Sequence, residues 1–561
     1  MHNILAINPG HNGSAALISD GDIIFYTEEE RLSRMKYDGN PFRAMLTVLE
    51  SNHVDELVIG GTSSDLVKLP WTYEDAYTAL VRKFNPNVKV TNLGSRHHLG
   101  HAAGAFYNSG FETAAAVIVD GAGSLHTAKF TEAENSPITR GYETESIFHC
   151  SYPGTFTVIY KRYADGKTLD FDNGVQYFND SVTITKAYEA VSNYLGFGFI
   201  EAGKTMGLAP YGRYDENIPL FFLDGKGNKD LLIPAYPGGA LINEQSVPYL
   251  ARSQDPKTWH RDFSKVRDID KNIAWHIQRE TQELVGDLIE MAAEQTGEKN
   301  IVVAGGYGLN CVANYYYLER FPDLNIYVDP VSHDGGTALG LALLAWYTYS
   351  NTSDIKPLRT LYLGLAPEYA DIDFKDLTVT EDVTPDDIAQ LLVDQNIVAM
   401  FRGSAEAGPR ALGNRSILFD PRRVDGKDFV NKVKGREWFR PFAGSVLEEY
   451  AHEWFEMRTL ESSPFMMYAI NVLPNKLGEI PAVTHVDGTC RVQTVNKQDN
   501  IDYYNLIDAF RKKTGVPLVF NTSFNLAGDP LVETVEDAID TLIRSDIKYL
   551  YLPELKKLIT K

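Results

Sequence analysis

Apolar residues near the start of the chain come in short runs broken by turn residues. Ile4-Leu5-Ala6-Ile7 precedes the cluster Asn8-Pro9-Gly10-His11-Asn12-Gly13. Ala15-Ala16-Leu17-Ile18, the pair Asp20-Gly21 and Ile23-Ile24-Phe25-Tyr26 follow. The pattern predicts strand, bend, strand, tight hairpin turn and strand. Further apolar runs at 114–119 and 300–304 stop at Asp120-Gly121-Ala122-Gly123 and Gly305-Gly306, as strands ending in glycine loops do. Between them, residues 272–294 carry Ile273, Ile277, Leu284, Leu288 and Ile289 at helical spacing, and 337–346 reads as another helix. Strands alternating with helices predict α/β layers, with functional loops at the carboxyl ends of the strands. The periodicity breaks at Tyr349-Ser350-Asn351-Thr352-Ser353-Asp354, and Pro357 follows. The expected domains are therefore 1–350 and 351–561. The second ends in a strand at 518–520, a loop, and a helix started by Thr534 with Asp537 three residues on. Residues 215–262 are poor in periodic runs and read as an insertion carrying surface loops.

The length of 561 residues exceeds what one core supports, so at least two domains are expected. With 44% hydrophobic and 23% charged residues, the chain is neither disordered nor fibrous. Its longest apolar runs fall far short of a bilayer, and Met1-His2-Asn3-Ile4 lacks the basic and apolar regions of a signal peptide. A cytoplasmic protein without a membrane partner is the expectation. Cys150, Cys311 and Cys490 are too scattered for a disulfide framework or a cysteine-rich zinc site. A formal charge of −22 gives no general grip on nucleic acid but leaves room for a local basic pocket.

Four constellations could carry chemistry. In Arg96-His97-His98-Leu99-Gly100-His101, His97 and His101 share one face if the segment is helical. Asp120 ends a strand downstream, and Ser332-His333-Asp334-Gly335-Gly336 precedes a helix. Two imidazoles and two carboxylates suit iron(II), manganese or zinc, although a bare HxxxH is more often a plain helix face. The second set is basic: Gly408-Pro409-Arg410-Ala411-Leu412-Gly413-Asn414-Arg415, Lys434-Gly435-Arg436-Glu437-Trp438-Phe439-Arg440, Cys490-Arg491 and Asn521-Thr522-Ser523-Phe524-Asn525. It offers forks for phosphate or carboxylate, or a salt-bridge network serving the 75 acids. Gly305-Gly306-Tyr307-Gly308-Leu309-Asn310 lets backbone approach a nucleotide, or is a turn. Gly203-Lys204-Thr205-Met206-Gly207 is not a Walker A loop but could touch phosphate or ribose.

Together these segments resemble the O-carbamoyltransferase family of nodulation-factor, cephalosporin and aminoglycoside modification. The blocks are Glu29-Glu30-Arg31-Leu32-Ser33-Arg34, HHLGHA, GKTMGLAPYG at 203–212, SHDGG at 332–336, GPRALGNRSI at 408–417, FRPFAGSVL at 439–447, DGTCRVQTV at 487–495 and NTSFN at 521–525. The resemblance implies an N-terminal actin/Hsp70/sugar-kinase-like domain similar to threonylcarbamoyl-adenosine tRNA transferase. It implies a C-terminal α/β domain similar to threonylcarbamoyl-AMP synthase. Carbamoyl phosphate would be held by Arg410, Lys434, Arg440, Arg491, Ser523 and Asn525, with Arg410, Lys434 and Arg440 catalytic. It would be cleaved to carbamate, which ATP with Mg²⁺ would adenylate. Lys204, Gly207, Gly305, Gly306 and Asn310 would face the nucleotide or adenylate. His97, His101, Asp120 and Asp334 would hold a metal, iron(II) in the family, and His11 would be the base at the acceptor hydroxyl.

Asn12, Asp529 and Gly444 depart from the residues usual in their blocks, and Asn12 bears on how His11 is oriented. Two other readings compete. One moves the same chemistry to a nucleobase hydroxymethyl group, with the run of cations and aromatics at 257–267 as a nucleic-acid contact. The other is a nucleotide-binding protein without catalysis, which the intact blocks disfavour. A homodimer is compatible with either.

Overall fold

The computed structural model describes residues 1–62, 74–129, 138–164, 168–171, 174–179, 182–234, 240–243 and 266–561. Residues 257–265 of the basic-aromatic run, and much of the 215–262 insertion, lie outside the described residues. The chain divides into two compact units. One comprises Met1–Ile24 and Gly39–Leu358, the other Phe25–Asp38 and Arg359–Lys561. Phe25–Asp38, inside the N-terminal range expected from sequence, is thus an early stretch of chain built into the later unit. Both units are α/β, the class the apolar runs predict.

The first unit opens on a five-stranded sheet ordered Asp22–Glu28, Ser14–Ser19, Asn3–Asn8, Glu56–Ile59, Lys89–Asn92, of whose first strand only Asp22–Ile24 falls in this unit. Asn3–Asn8 lies central because both its faces are apolar. It pairs antiparallel to Ser14–Ser19, with Ala6 opposite Ala16, and parallel to Glu56–Ile59, with Ala6 beside Val58. A second sheet has Thr113–Val119 and Asn300–Ala304 parallel at its centre, with Ala116 beside Val302. Asp120 leaves the end of the first of these strands. Ile138–Ser151 and Thr155–Ala164 extend this sheet as a long antiparallel arm. The sequence reading did not anticipate that arm, because its positions alternate with polar residues and carry no continuous apolar run.

Two helices meet where the metal-type residues gather. The first, His97–Ser109, ends at Gly110 in the left-handed region at φ 75°. The second, Gly336–Ser350, is buried along most of its length. They cross through glycines: a Cβ on Gly340 would stand 2.0 Å from the Gly100 carbonyl oxygen and 3.0 Å from Gly104 Cα. No other residue fits at that crossing, and the close approach brings the starts of both helices together. Asp268–Thr296 also packs on the strands Thr113–Val119 and Asn300–Ala304 and is longer at both ends than its apolar spacing indicated.

The second unit is built on a nine-stranded sheet. Its central strands are Val398–Phe401, Arg415–Phe419, Leu518–Ser523, Ala443–Leu447 and Thr489–Val495. Ser523 is the last residue of its strand rather than the first of the loop. The capping box of Thr534 and Asp537 starts the helix Val535–Arg544 as read from sequence. Arg415 is wholly buried. It donates to the carbonyls of Gly403, Asn414 and Glu533 at 3.0, 3.1 and 3.2 Å and lies 3.8 Å over the Phe401 ring. This arginine of the 408–417 block therefore holds the fold.

Candidate functional site

In the first unit, His97 and His101 sit one helical turn apart at the start of His97–Ser109, so both rings leave the same face. Their Nε2 atoms are 3.1 Å apart. Asp120 arrives from the end of the strand Thr113–Val119, and its Oδ2 is 3.5 Å from His97 Nε2. Asp334 arrives from the turn before Gly336–Ser350, its Oδ1 being 3.7 Å from His97 Nε2 and 4.0 Å from His101 Nε2. One ligating atom from each residue can be chosen so that all lie within 4.8 Å of one another, and all four residues are buried. Donors about 2.1 Å from a single ion stand roughly 3–4.2 Å apart, so the set has the span a divalent cation requires.

The electrostatics agree. Burial pulls the His97 imidazole down, but Asp334 and Asp120 outweigh it and push it up to about 10. Burial and then the charge on His97 pull His101 down to about 4. Burial raises both aspartates, yet both end low. Asp120 is held well below the usual range by His97 and His101, and Asp334 falls to about 2, with His11 the largest lowering influence. One proton shared among these groups leaves a buried negative charge, and a divalent ion with neutral imidazoles removes it. The donor set therefore fits a borderline transition metal.

Further residues surround this cluster. His11 places Nε2 3.4 Å from Asp334 Oδ2, so the same carboxylate faces the histidine pair with one oxygen and His11 with the other. Gly306 donates its N–H to Asp120 Oδ1 at 3.0 Å. Gly305, at φ 88°, makes this reach possible, since a Cβ there would stand 2.4 Å from the Val119 carbonyl. Finally, Lys186 and Glu189 form a buried 2.8 Å pair over Gly121, and Thr185 bonds the Asp120 carbonyl at 2.6 Å. The sequence reading missed Lys186 and Glu189. Their only signal was a lysine and a glutamate one turn apart in a largely buried helix.

The second unit gathers cations. Lys434 is 3% exposed and donates to Ser523 and to Asn525 Oδ1, the latter at 3.1 Å. Burial, then Arg436 and Arg440, hold its ammonium well below the usual lysine range, and Lys36 adds to the effect. Arg436 lies 5.0 Å over the Phe442 ring and donates to Thr522 Oγ1 at 3.3 Å. Burial, Arg440 and Arg491 lower it, against which Glu437 acts. Arg440 is one-third exposed and 3.5 Å from Glu437. Like charges crowded out of water are unfavourable alone and favourable around an anion. The loop bearing Arg410 is threaded on Glu406, whose Oε1 accepts the N–H groups of Leu412, Asn414 and Arg415 at 2.7, 2.9 and 3.1 Å. Lys36 and Arg436 were not among the expected site residues. Lys36 reaches the cluster because Arg31 donates to the Gly408 carbonyl and Arg34 to the Leu531 carbonyl, both at 2.7 Å.

Residues 71–343 match the family model "Carbamoyltransferase N-terminus", and residues 389–558 match "Carbamoyltransferase C-terminus". The nodulation protein NolNO of Sinorhizobium fredii is 31% identical over 96% of this chain and 77% of its own length. The chain belongs to the carbamoyltransferase family. The 3'-hydroxymethylcephem-O-carbamoyltransferase of Amycolatopsis lactamdurans is 28% identical to this carbamoyltransferase over 96% of this chain and 95% of its own. Among solved structures, full-length HypF in a phosphate- and nucleotide-bound form aligns at 12% identity and a TM-score of 0.35. The alignment covers 63% of this chain and 47% of HypF. At that score the likeness carries no conclusion.

The residues expected at the nucleotide lie in the first unit of the carbamoyltransferase. Gly305 and Gly306 adjoin Asp120, as described. Asn310 is engaged internally: it caps the helix Cys311–Arg320 through Ala313 N and pairs with Gln278. Lys204 is 2.7 Å from Glu201, and its helix Ala202–Leu208 also carries Gly207 and meets Cys311 through Met206. Among the described residues no helix is long and apolar enough to cross a membrane.

Proposed function

We propose that this carbamoyltransferase works in two half-reactions. In the second unit carbamoyl phosphate is cleaved to carbamate and phosphate, and ATP with Mg²⁺ adenylates the carbamate, releasing pyrophosphate. In the first unit an acceptor hydroxyl attacks the carbamoyl carbon of the adenylate, its proton leaves to a base, and AMP departs. The acceptor is a hydroxyl-bearing small molecule.

The observation that carries this reading is the cation group around the buried Lys434: after burial, Arg436 and Arg440 lower its ammonium, and Arg440 and Arg491 lower Arg436, with Glu437 acting against them. Such a group is pre-charged for a phosphate whose negative charge grows as the bond to the carbamoyl carbon breaks. Ser523 and Asn525 fix the Lys434 ammonium, and Phe442 supports the Arg436 plane. Arg410 contributes a further fork from the loop tied to Glu406.

In the first unit His97, His101, Asp120 and Asp334 are the residues that would hold the metal, iron(II) by family resemblance. Such an ion would supply Lewis-acid polarisation at the transfer site. His11 is the base. Asp334 Oδ2 orients its Nε2, leaving Nδ1 to take the hydroxyl proton, and a side chain 53% exposed can be reached by an incoming acceptor.

The test supplies purified protein with ATP and carbamoyl phosphate and screens hydroxylated acceptors by mass spectrometry for the gain of one carbamoyl group. Hydroxymethylcytosine DNA belongs in the panel. Synthetic carbamoyl-adenylate should restore acceptor carbamoylation to an Arg440→Ala variant, because that lesion lies before transfer. A folded, metal-loaded variant that ignores the adenylate would overturn the division of labour.

A further inference from the structure

Apart from the metal-type cluster, whose four residues do not line it, the first unit contains a cavity of about 430 Å³. Its apolar walls include Phe148, Phe156 and Leu344. Arg96 and Lys161 supply its positive charge and Glu143 its negative one. Such a volume is that of a small-molecule site.

The charges do not balance. Glu143 and Lys161 are in direct contact, and both are buried. Glu143 Oε2 also accepts the Ser124 N–H at 3.1 Å. This ion pair is complete without further help. Arg96 is exposed at the mouth, and among the described residues its guanidinium has no hydrogen-bond or ion-pair partner. It precedes the helix His97–Ser109 without capping it through its side chain. Both cations line the cavity, and burial and then the charge on Arg96 pull the Lys161 ammonium down to about 7. His126 adds a ring whose Nε2 is 3.5 Å from Glu143 and makes no hydrogen bond among the described residues.

We propose that this cavity binds a small monocarboxylate with an apolar body, its carboxylate on Arg96 and Lys161 and its body against Phe148 and Phe156. One added negative charge neutralises the two cations and Glu143 together. A dianion would overshoot and face Glu143. The planar guanidinium matches a carboxylate with two parallel hydrogen bonds, and the aromatic walls remove an alkyl or aryl group from water. A bare inorganic anion leaves those walls without a partner. The site belongs to one unit and stands apart from the carbamoyl chemistry proposed above. It is nevertheless close to the metal centre: Glu143 binds Ser124, and Ser124 Oγ accepts the N–H of His97 at 3.0 Å.

The experiment is calorimetric titration of the full-length protein with benzoate and octanoate, using benzyl alcohol and inorganic phosphate as controls. At least one carboxylate should bind with a Kd on the order of 0.1 mM, and the controls should not. Arg96→Ala should weaken that binding roughly 10-fold or more, and being exposed and unpartnered it leaves the fold intact. Phe156→Ala should weaken octanoate independently of charge. Absence of carboxylate binding, an Arg96→Ala variant that binds as wild type, or equal binding of benzyl alcohol would each overturn the proposal. Phosphate binding with the same Arg96 dependence would overturn the carboxylate assignment.

Discussion

Arg440, one-third exposed, is one of the grouped cations in the second unit. Arg440→Ala should slow carbamoyl-phosphate-dependent ATP turnover roughly 10- to 150-fold, the effect of one charge-assisted hydrogen bond. Arg440→Lys should recover little, since an ammonium lacks the planar fork. Phosphate release is the assay, and wild-type turnover in the alanine variant would remove Arg440 from the site. His97→Ala and His101→Ala make the complementary prediction. Each removes one of four buried donors, so metal content measured by elemental analysis should fall while ATP chemistry in the second unit persists and acceptor product disappears. Variants that keep both metal and transfer would reduce the histidine pair to a helix face. The metal-type residues were legible because the sequence states two of them at i and i+4 and a third at a strand end. Lys36, Arg436 and the Lys186–Glu189 pair were not, because their role depends on which distant elements surround them.

At the scale of elements, the metal-type cluster depends on a helix crossing that tolerates no side chain. Gly340→Ala would drive a methyl group into the backbone of Gly100 and Gly104, and the starts of the helices would separate. Overpacking of this kind costs about 1–3 kcal/mol. The expected result is a lower thermal midpoint together with weaker metal retention under chelation. Retained metal at a lowered midpoint would mean that the crossing does not set the centre. A second element carries a pH dependence. Glu280 accepts the N–H groups of Phe221 and Phe222 at 2.8 and 3.1 Å, yet burial outweighs those bonds and raises its carboxyl from 4.5 to about 7. A raised acid binds its proton more tightly folded than unfolded. Its stabilising effect is therefore complete below about 4.5 and is lost as pH rises through about 7, by up to ~3 kcal/mol. Amide exchange around Phe221 should accelerate between pH 5 and pH 8 in the wild type and stay flatter in Glu280→Gln. Parallel profiles would contradict the shift. Long apolar periods such as that of Asp268–Thr296 could be read directly. The arm of Ile138–Ser151 and Thr155–Ala164 could not, since a strand with polar residues at alternate positions lacks an apolar run.

For the whole molecule, the decisive feature is that Phe25–Asp38 belongs to the unit completed by Arg359–Lys561. The sequence reading placed the main division near 350, where composition changes, whereas the compact units divide between Leu358 and Arg359. It could not show the earlier excursion, whose partners are hundreds of residues away. Arg31 Nη1 stands 3.9 Å from the buried Glu533, and Tyr26 donates its N–H to the Leu363 carbonyl at 2.9 Å. A fragment of 359–561 alone leaves Glu533 short of one cation, and breaking a buried charge pair costs on the order of 3–5 kcal/mol. Joining 25–38 to that fragment through a flexible linker should raise its soluble yield and thermal midpoint. Equal midpoints with and without the segment would show that the second unit closes by itself.

The same excursion imposes an order on synthesis. Phe25–Asp38 leaves the ribosome early, and all of Gly39–Leu358 must follow before the first residue of Arg359–Lys561 appears. At bacterial or eukaryotic elongation rates that wait is on the order of tens of seconds. An apolar strand held open so long would invite aggregation. The waiting segment instead carries Glu28, Glu29, Glu30, Arg31, Arg34 and Lys36, charges that water solvates until the rest of the unit arrives. In the finished unit the same arginines are consumed by Gly408, Leu531 and Glu533. The segment's polarity thus keeps the nascent chain soluble and later forms the latch that closes the later-made unit.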